Sequence, residues 1–409
     1  MRPTDLAPTH AIWVILFAGV SAALHVGKLA PSIPVLQQAM GISLVQAGFL
    51  LSTVQVAGMT LGLFIGLGAE SLGLRRTVLS GLGVLAFASV AGGFMQGFEA
   101  LLALRALEGL GFLLAVMPGP SLIRRHSPEA AINARMGWWG TYMPTGNALA
   151  LLVGPVLLAA WSWPGWWWLL GGVSALAWLA LFHTLPADPP RSARARVGEK
   201  PLVQADGDAW TERLQHTLAD PGPWLVSLCF AVYAAQWTAI IGFLPTIYAQ
   251  AGLRGFAVSA MTALVAWINV LGNVASGRLL GRGWSPDTLL KIGYGSMALG
   301  SLAAFVQVQG SYLPLALQFG GVLLFSAVGG LIPGTLFALA VRLAPARGTV
   351  SATVGYMQQW SSLGQFAGPP IVAWVASRAG GWSFTWTVTW LLCLAGLTLA
   401  HVVGRQIRK

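Results

Sequence analysis

Apolar residues run through this chain in blocks far longer than a soluble helix needs, and only short polar breaks separate them. A helix that crosses a bilayer takes about 20 apolar residues. Windows of that size predict twelve spans, at 11–37, 44–69, 77–97, 100–122, 132–160, 165–185, 223–250, 256–280, 288–309, 312–341, 349–377 and 383–404. One long polar stretch interrupts them: residues 186–222 mix acids, bases and prolines, which reads as a solvated linker with a short surface helix near 210–218. The pattern predicts an all-α membrane protein of twelve transmembrane helices. It divides into an N-terminal six-helix bundle (1–185), a cytoplasmic linker (186–222) and a C-terminal six-helix bundle (223–409).

Composition agrees, with 56% hydrophobic and 9% charged residues. The net charge of +11 does not point to nucleic acid, because the basic residues sit in small clusters between apolar runs and no soluble basic module is present. One set of loops and termini holds Arg2, Arg75, Arg76, Arg124, Arg125, Arg135, the linker cations, Arg278, Arg282, Lys291, Arg342, Arg347, Arg405, Arg408 and Lys409. The opposite set holds only Arg254 and Arg378. By the positive-inside rule both termini and the linker face the cytoplasm, and a prokaryotic inner membrane is the expected location. The run after Arg2 continues without a small-residue cleavage site, as an uncleaved first span would. Cys229 and Cys393 both lie inside apolar runs and read as packing residues. Trp161, Trp163, Trp166, Trp167 and Trp168 fall at the outer end of spans five and six, where an aromatic belt is expected and a ligand cage is the alternative.

The halves look like copies. Pro31 and Pro245, Gln55 and Asn269, and Gly58 and Gly272 stand 214 residues apart, and Pro118-Gly119 stands 215 before Pro333-Gly334. Parallel repeats of this kind place a solute site between the halves near the bilayer midplane. The paired Pro-Gly steps read as kinks that allow helices to bend.

Span two ends in Gly66-Leu67-Gly68-Ala69-Glu70-Ser71-Leu72-Gly73-Leu74-Arg75-Arg76. This resembles the signature cytoplasmic loop of the major facilitator superfamily, with Glu70 in place of the usual aspartate and Ser71 and Leu74 where basic residues are expected. Arg105 with Gly109 resembles the fourth-helix pattern of that superfamily. Lys28 near Pro31, together with Trp139 to Pro144 in span five, is similar to the branch named for cyanate transporters. The resemblance implies a secondary transporter, not an enzyme, with Glu70, Gly73, Arg75 and Arg76 as a gating latch. A purely topological role for Arg75 and Arg76 is the alternative.

Depth brings four residues of the first half together. Lys28 lies roughly 13 Å inside the outer end of span one, and Arg105 and Glu108 lie roughly 8 and 12 Å inside the outer start of span four. His25 sits one turn from Lys28. A charge at this depth costs a few kcal/mol or more, so it faces a partner or a wet cavity. Two cations and one acid leave a positive excess that a small anion would neutralise, although Arg105 and Glu108 could also pair for structure alone. Glu108 and His25 are the deep groups able to exchange a proton. Around them, Gln55 and Tyr142 in the first half and Gln236, Trp237, Asn269, Gln358 and Gln359 in the second are candidate substrate-binding groups, with helix-to-helix hydrogen bonding as the alternative for each amide.

The expected function is therefore alternating-access transport of a small, anionic solute, coupled to protons, by a monomer in the lipid bilayer. The rivals are a proton-coupled drug or multidrug exporter and a membrane sensor that moves nothing. No catalytic constellation, metal-ligand set or phosphate loop stands out, and no cofactor is expected.

Overall fold

Proline chemistry shapes the first span. In the computed structural model, which describes residues 10–128, 135, 138–188, 210–345 and 350–408, a helix over His10–Gly27 stops at Lys28 and resumes as Leu29–Met40. Pro31 has no amide hydrogen for the Gly27 carbonyl one turn back, so the ladder opens there. Ser32 Oγ and Trp166 Nε1 donate to the neighbouring Lys28 carbonyl at 2.6 and 3.3 Å.

Span two is likewise divided, into Leu44–Thr53 and Val56–Leu72. It starts with a reciprocal cap in which the Gln46 amide donates to Ser43 Oγ and the Ser43 amide to Gln46 Oε1. Span three is Leu74–Gly92, and span four is Phe98–Val116 continued by Gly119–Arg125. The break falls at Met117 and Pro118, as the Pro-Gly step predicts. Spans five and six are one stretch, Tyr142–Thr184, broken at Ser162, whose φ of 58° turns the chain back. The start of the expected fifth span, 132–134, lies outside the described residues.

The linker helix forms over Trp210–Ala219. The second half follows with span seven at Pro221–Gln250, span eight at Phe256–Gly281 and span nine at Pro286–Phe305. Span ten is Leu315–Gly329 and Leu331–Arg342, span eleven Val350–Ala379 and span twelve Thr385–Ile407. Nine of the described helical segments are long and apolar enough to cross a membrane. The broken stretch Tyr142–Thr184 counts for two passes, and Pro286–Phe305 and Val350–Ala379 complete twelve. A small hairpin between spans nine and ten, Gln307–Val308 with Ser311–Tyr312, turns on Gln309 and Gly310, both at positive φ. Strands this short leave no mark in an apolar window.

Lipid gives apolar faces little reason to leave it, so helices associate here by close backbone approach. A Cβ at Gly81 of span three would overlap the Gly111 carbonyl of span four, and Gly300 meets the Gly321 carbonyl between spans nine and ten in the same way. Gly109 of span four presses on the Val54 carbonyl of span two, and Gly330 of span ten on the Asn269 carbonyl of span eight. The halves therefore repeat their packing as well as their prolines. They meet along spans two and eleven, where Gly48 faces Pro370, Gly58 faces Ser362 and Gly62 faces Gln359. Outward-facing Phe87, Leu176, Leu299 and Leu391 are 61–69% exposed, which is where hydrocarbon covers them.

Candidate functional site

Glu108 is the centre of the deep polar cluster. Its Oε1 accepts from Lys28 Nζ and its Oε2 from Arg105 Nη1, and His25 Nδ1 lies 3.5 Å from Oε1. All four side chains are 0–1% exposed. The break in span one puts Lys28 here: its ammonium also donates to Ser89 Oγ of span three at 3.0 Å and stands 4.4 Å above the Trp167 ring of span six. Arg105 reaches two backbone carbonyls in other spans, His25 O at 2.7 Å and Leu50 O at 3.3 Å. The spacing of Arg105 and Gly109 thereby acquires a reason, since the glycine admits span two and the arginine, one turn earlier, binds its carbonyl.

A second polar line leaves the cluster through His25. Its Nε2 is 2.7 Å from Ser174 Oγ, which is 3.0 Å from Ser21 Oγ. Ser89 in turn donates to the Trp167 carbonyl at 2.7 Å. With a neutral imidazole, two cations against one carboxylate leave a buried excess of one positive charge. Arg105 Nη2 has no hydrogen-bond partner among the described residues, so the guanidinium has a donor to spare.

Two of the sequence expectations meet a correction here. Of the five clustered tryptophans only Trp161 and Trp168 are exposed as a belt requires. Trp163, Trp166 and Trp167 turn inward, and Trp167 supplies the aromatic face beneath Lys28. The charged cluster lies inside the first bundle, not on the seam between bundles. The seam at this depth holds a cavity of about 30 Å³ lined by Val26, Gly27 and Asn147 on one side and Trp237, Thr238 and Gln365 on the other. That is room for a water or two and no more. Lys28 and His25 flank the lining residues Val26 and Gly27 in sequence but point away from the cavity.

The neutral candidates are spread out. Trp237 lines the cavity and donates from Nε1 to Ser326 Oγ at 3.2 Å. Gln55 donates to Gln365 Oε1 at 3.1 Å, and Thr238 donates to the same oxygen at 3.3 Å, so Gln365 joins the halves. Gln236 is turned into the second bundle, accepting from Cys393 Sγ at 3.2 Å. Asn269 is also inside it, donating to Tyr233 OH at 3.0 Å and Ser326 O at 2.8 Å. Tyr142 stacks on Trp139 within the first bundle. Gln358 is half-buried, and Gln359 accepts from the Leu63 amide at 3.3 Å beside a 190 Å³ cavity walled by Met59, Tyr356, Trp360 and Leu363. Tyr142, Gln236 and Asn269 thus do not reach the central cavity, because each finds a partner inside its own bundle.

Gln365 was not among the candidates, although it stands seven residues after Gln358 on the same helical stripe. Asp188 was also passed over as a linker charge. It accepts from the Arg75 and Arg76 amides at 3.2 and 2.9 Å, capping span three just after the positive-φ turn at Gly73. Arg75 Nη2 donates to the Phe182 carbonyl at 2.7 Å, and its guanidinium lies over the Phe182 ring. The Glu70 side chain lies outside the described residues.

Twelve spans in two repeated bundles, closed on a central seam, define a polytopic transport protein. The chain belongs to the Major Facilitator Superfamily, whose family model matches residues 15–363. It is 26% identical over 351 residues to "Monocarboxylate transporter 11" of Homo sapiens, covering 80% of this chain and 67% of that protein. It is 25% identical over 363 residues to "Multidrug transporter MdfA" of Edwardsiella ictaluri, covering 85% and 84%. Among solved structures it is similar to a bacterial homologue of the human lysosomal transporter Spinster. The inward-facing, unoccupied form gives a TM-score of 0.73 at 16% identity over 98% of each chain, and the occupied form 0.75 at 15% over 96% of each. The protein is a membrane transporter and not an enzyme.

Proposed function

We propose that this transporter moves a small anion by alternating access, in symport with protons. The observation that carries the reading is one sealed carboxylate shared by cations from two spans, Lys28 and Arg105. While Glu108 is ionised it holds both cations inside the first bundle. A proton on Glu108 leaves them without a counterion, and an unpaired buried charge is costly. A shift of span one about its break at Lys28 then relieves that cost by turning positive charge toward the adjacent seam, where an anion can meet it. Trp237, Gln365 and Gln55 shape the seam, and Gln358 and Gln359 lie along the path beyond it. The bundles 1–185 and 223–409 rock about the linker 186–222, with Gly73, Arg75, Arg76 and Glu70 at the closing edge. The basic loops favour cytoplasmic termini in a prokaryotic inner membrane, and nothing in the reading requires more than one copy. The similarity to a protein named as a monocarboxylate transporter supports a carboxylate as the first solute class to try.

Proteoliposome uptake of labelled small monocarboxylates tests this. Uptake is expected to saturate, to rise with an inward proton gradient, and to fall at least tenfold in Lys28→Ala and in Arg105→Ala. Saturable anion uptake that survives both replacements would overturn it. The similarity to a multidrug transporter and the largely apolar wall of the central cavity favour a second reading, proton-driven export of hydrophobic compounds. That reading predicts extrusion of cationic dyes from cells expressing the protein, with no monocarboxylate flux.

A further inference from the structure

We infer that the proton reaches and leaves Glu108 through His25, along a hydroxyl line inside the first bundle that the solute never enters. The inference rests on the proton-coupled reading above. The geometry is a file of four groups: Ser21 Oγ to Ser174 Oγ at 3.0 Å, Ser174 Oγ to His25 Nε2 at 2.7 Å, and His25 Nδ1 3.5 Å from Glu108 Oε1, an approach that stops short of a hydrogen bond and leaves Nδ1 the one unsatisfied atom of the file. Every member is buried, and none lines the seam cavity. Among the described residues the imidazole links the serines to the carboxylate, with Nε2 toward Ser174 and Nδ1 toward Glu108.

One arrangement of the hydrogens lets the line conduct. If Ser174 donates to Nε2, the ring carries its own hydrogen on Nδ1, on the side of Glu108, and Ser21 donates to Ser174. A proton added at Ser21 is then passed on in three moves. The Ser21 hydrogen goes to Ser174 and the Ser174 hydrogen goes to Nε2. The Nδ1 hydrogen goes to Glu108, which ends as the neutral acid beside a neutral imidazole with its hydrogen on Nε2. One proton has entered and one has been delivered, and rotation of the hydroxyls with return of the imidazole to its first tautomer resets the line. Protonated Glu108 then loses its hold on Lys28 and Arg105, so delivery of the proton is the event that frees the positive charge.

The groups facing His25 are few. Span four brings Glu108 and Arg105, and the next turn of span one brings Lys28. Span six brings Ser174, which does not titrate, and Ser89 of span three touches Lys28 and not the imidazole. Arg124 and Arg125 of the short helix packed against span one are exposed at its end. Among the described residues His25 is therefore the one group placed to move a proton to this carboxylate without crossing the two cations.

Ser174→Ala and Ser174→Thr decide the matter in proteoliposomes, with two assays on labelled monocarboxylate. Counterflow at equal pH on both sides needs no net proton movement, whereas gradient-driven uptake does. Ser174→Ala is expected to leave counterflow within twofold of the parent, to lower gradient-driven uptake at least fivefold, and to move its pH midpoint. Ser174→Thr, which keeps the hydroxyl, is expected to restore the driven rate. Equal loss in both assays would make Ser174 a packing residue and overturn the inference, as would an alanine variant with parental driven uptake and pH profile. Failure of the parent protein to catalyse any monocarboxylate flux would instead remove the reading on which the inference rests.

Discussion

Glu108 has two cations to satisfy, and among the described residues neither has another acid as partner. Glu108→Gln therefore leaves Lys28 and Arg105 buried and unpaired, a change that costs about 3–5 kcal/mol in comparable buried pairs. The thermal midpoint of the purified protein is expected to drop clearly. Adding Lys28→Met to Glu108→Gln is expected to recover part of the loss, because the orphaned ammonium is gone while its volume is kept. A double variant no more stable than the single one would show that the ammonium is not paying its way through Glu108. Residue chemistry was legible in the sequence to this level: Lys28, Arg105, Glu108 and His25 could be placed at one depth by counting helical rise. Their direction was not. A membrane helix is apolar on every side, so nothing in the pattern separates a residue facing its own bundle from one facing the seam. Lys28 in particular turns inward because Pro31 breaks the helix beside it, and Trp167 and Ser89, from distant parts of the chain, receive it.

At the scale of elements, the broken helices repay attention. Span one opens at Lys28, span two at Val54 and Gln55, and span four at Met117 and Pro118. All three breaks lie in helices that supply or contact the cluster. Pro31→Ala restores the missing amide and should make span one continuous. The expected outcome is a protein of equal or higher thermal midpoint that transports several-fold more slowly, measured as initial uptake beside a melting curve. An alanine variant with parental uptake would mean that the break is not used in transport. The Pro118-Gly119 step announced the interruption in span four, whereas Pro31 reads in the sequence as a mark of the repeat and not as a break in span one. No proline announces the interruption in span two, which has none, nor the hairpin between spans nine and ten.

The whole molecule is closed where spans two and eleven run face to face. An ideal Cβ at Gly62 would lie 3.2 Å from Gln359 Cβ, close to the separation that a disulfide bridges. Paired cysteines, Gly62→Cys with Gln359→Cys, are expected to cross-link under mild oxidation and stop uptake, with recovery on reduction. Native Cys229 and Cys393 are buried and should not compete. Unimpaired uptake by the cross-linked protein would mean that this contact persists through the whole cycle. The twelve-span, two-bundle plan was readable from apolar run lengths and the paired prolines, since run length is set by bilayer thickness. Which cross-bundle contacts seal the seam was not, because glycine is frequent throughout and only its three-dimensional neighbour distinguishes one from another.

Spans five and six meet at Ser162 with no connecting loop between them. Asn147, on the near arm of that elbow, touches the seam, while Trp167 and Ser174, on the far arm, grip Lys28 and His25. A joint without slack transmits tilt, so under the proposed cycle a passenger pressing on the near arm would act by leverage on the ammonium and imidazole behind it.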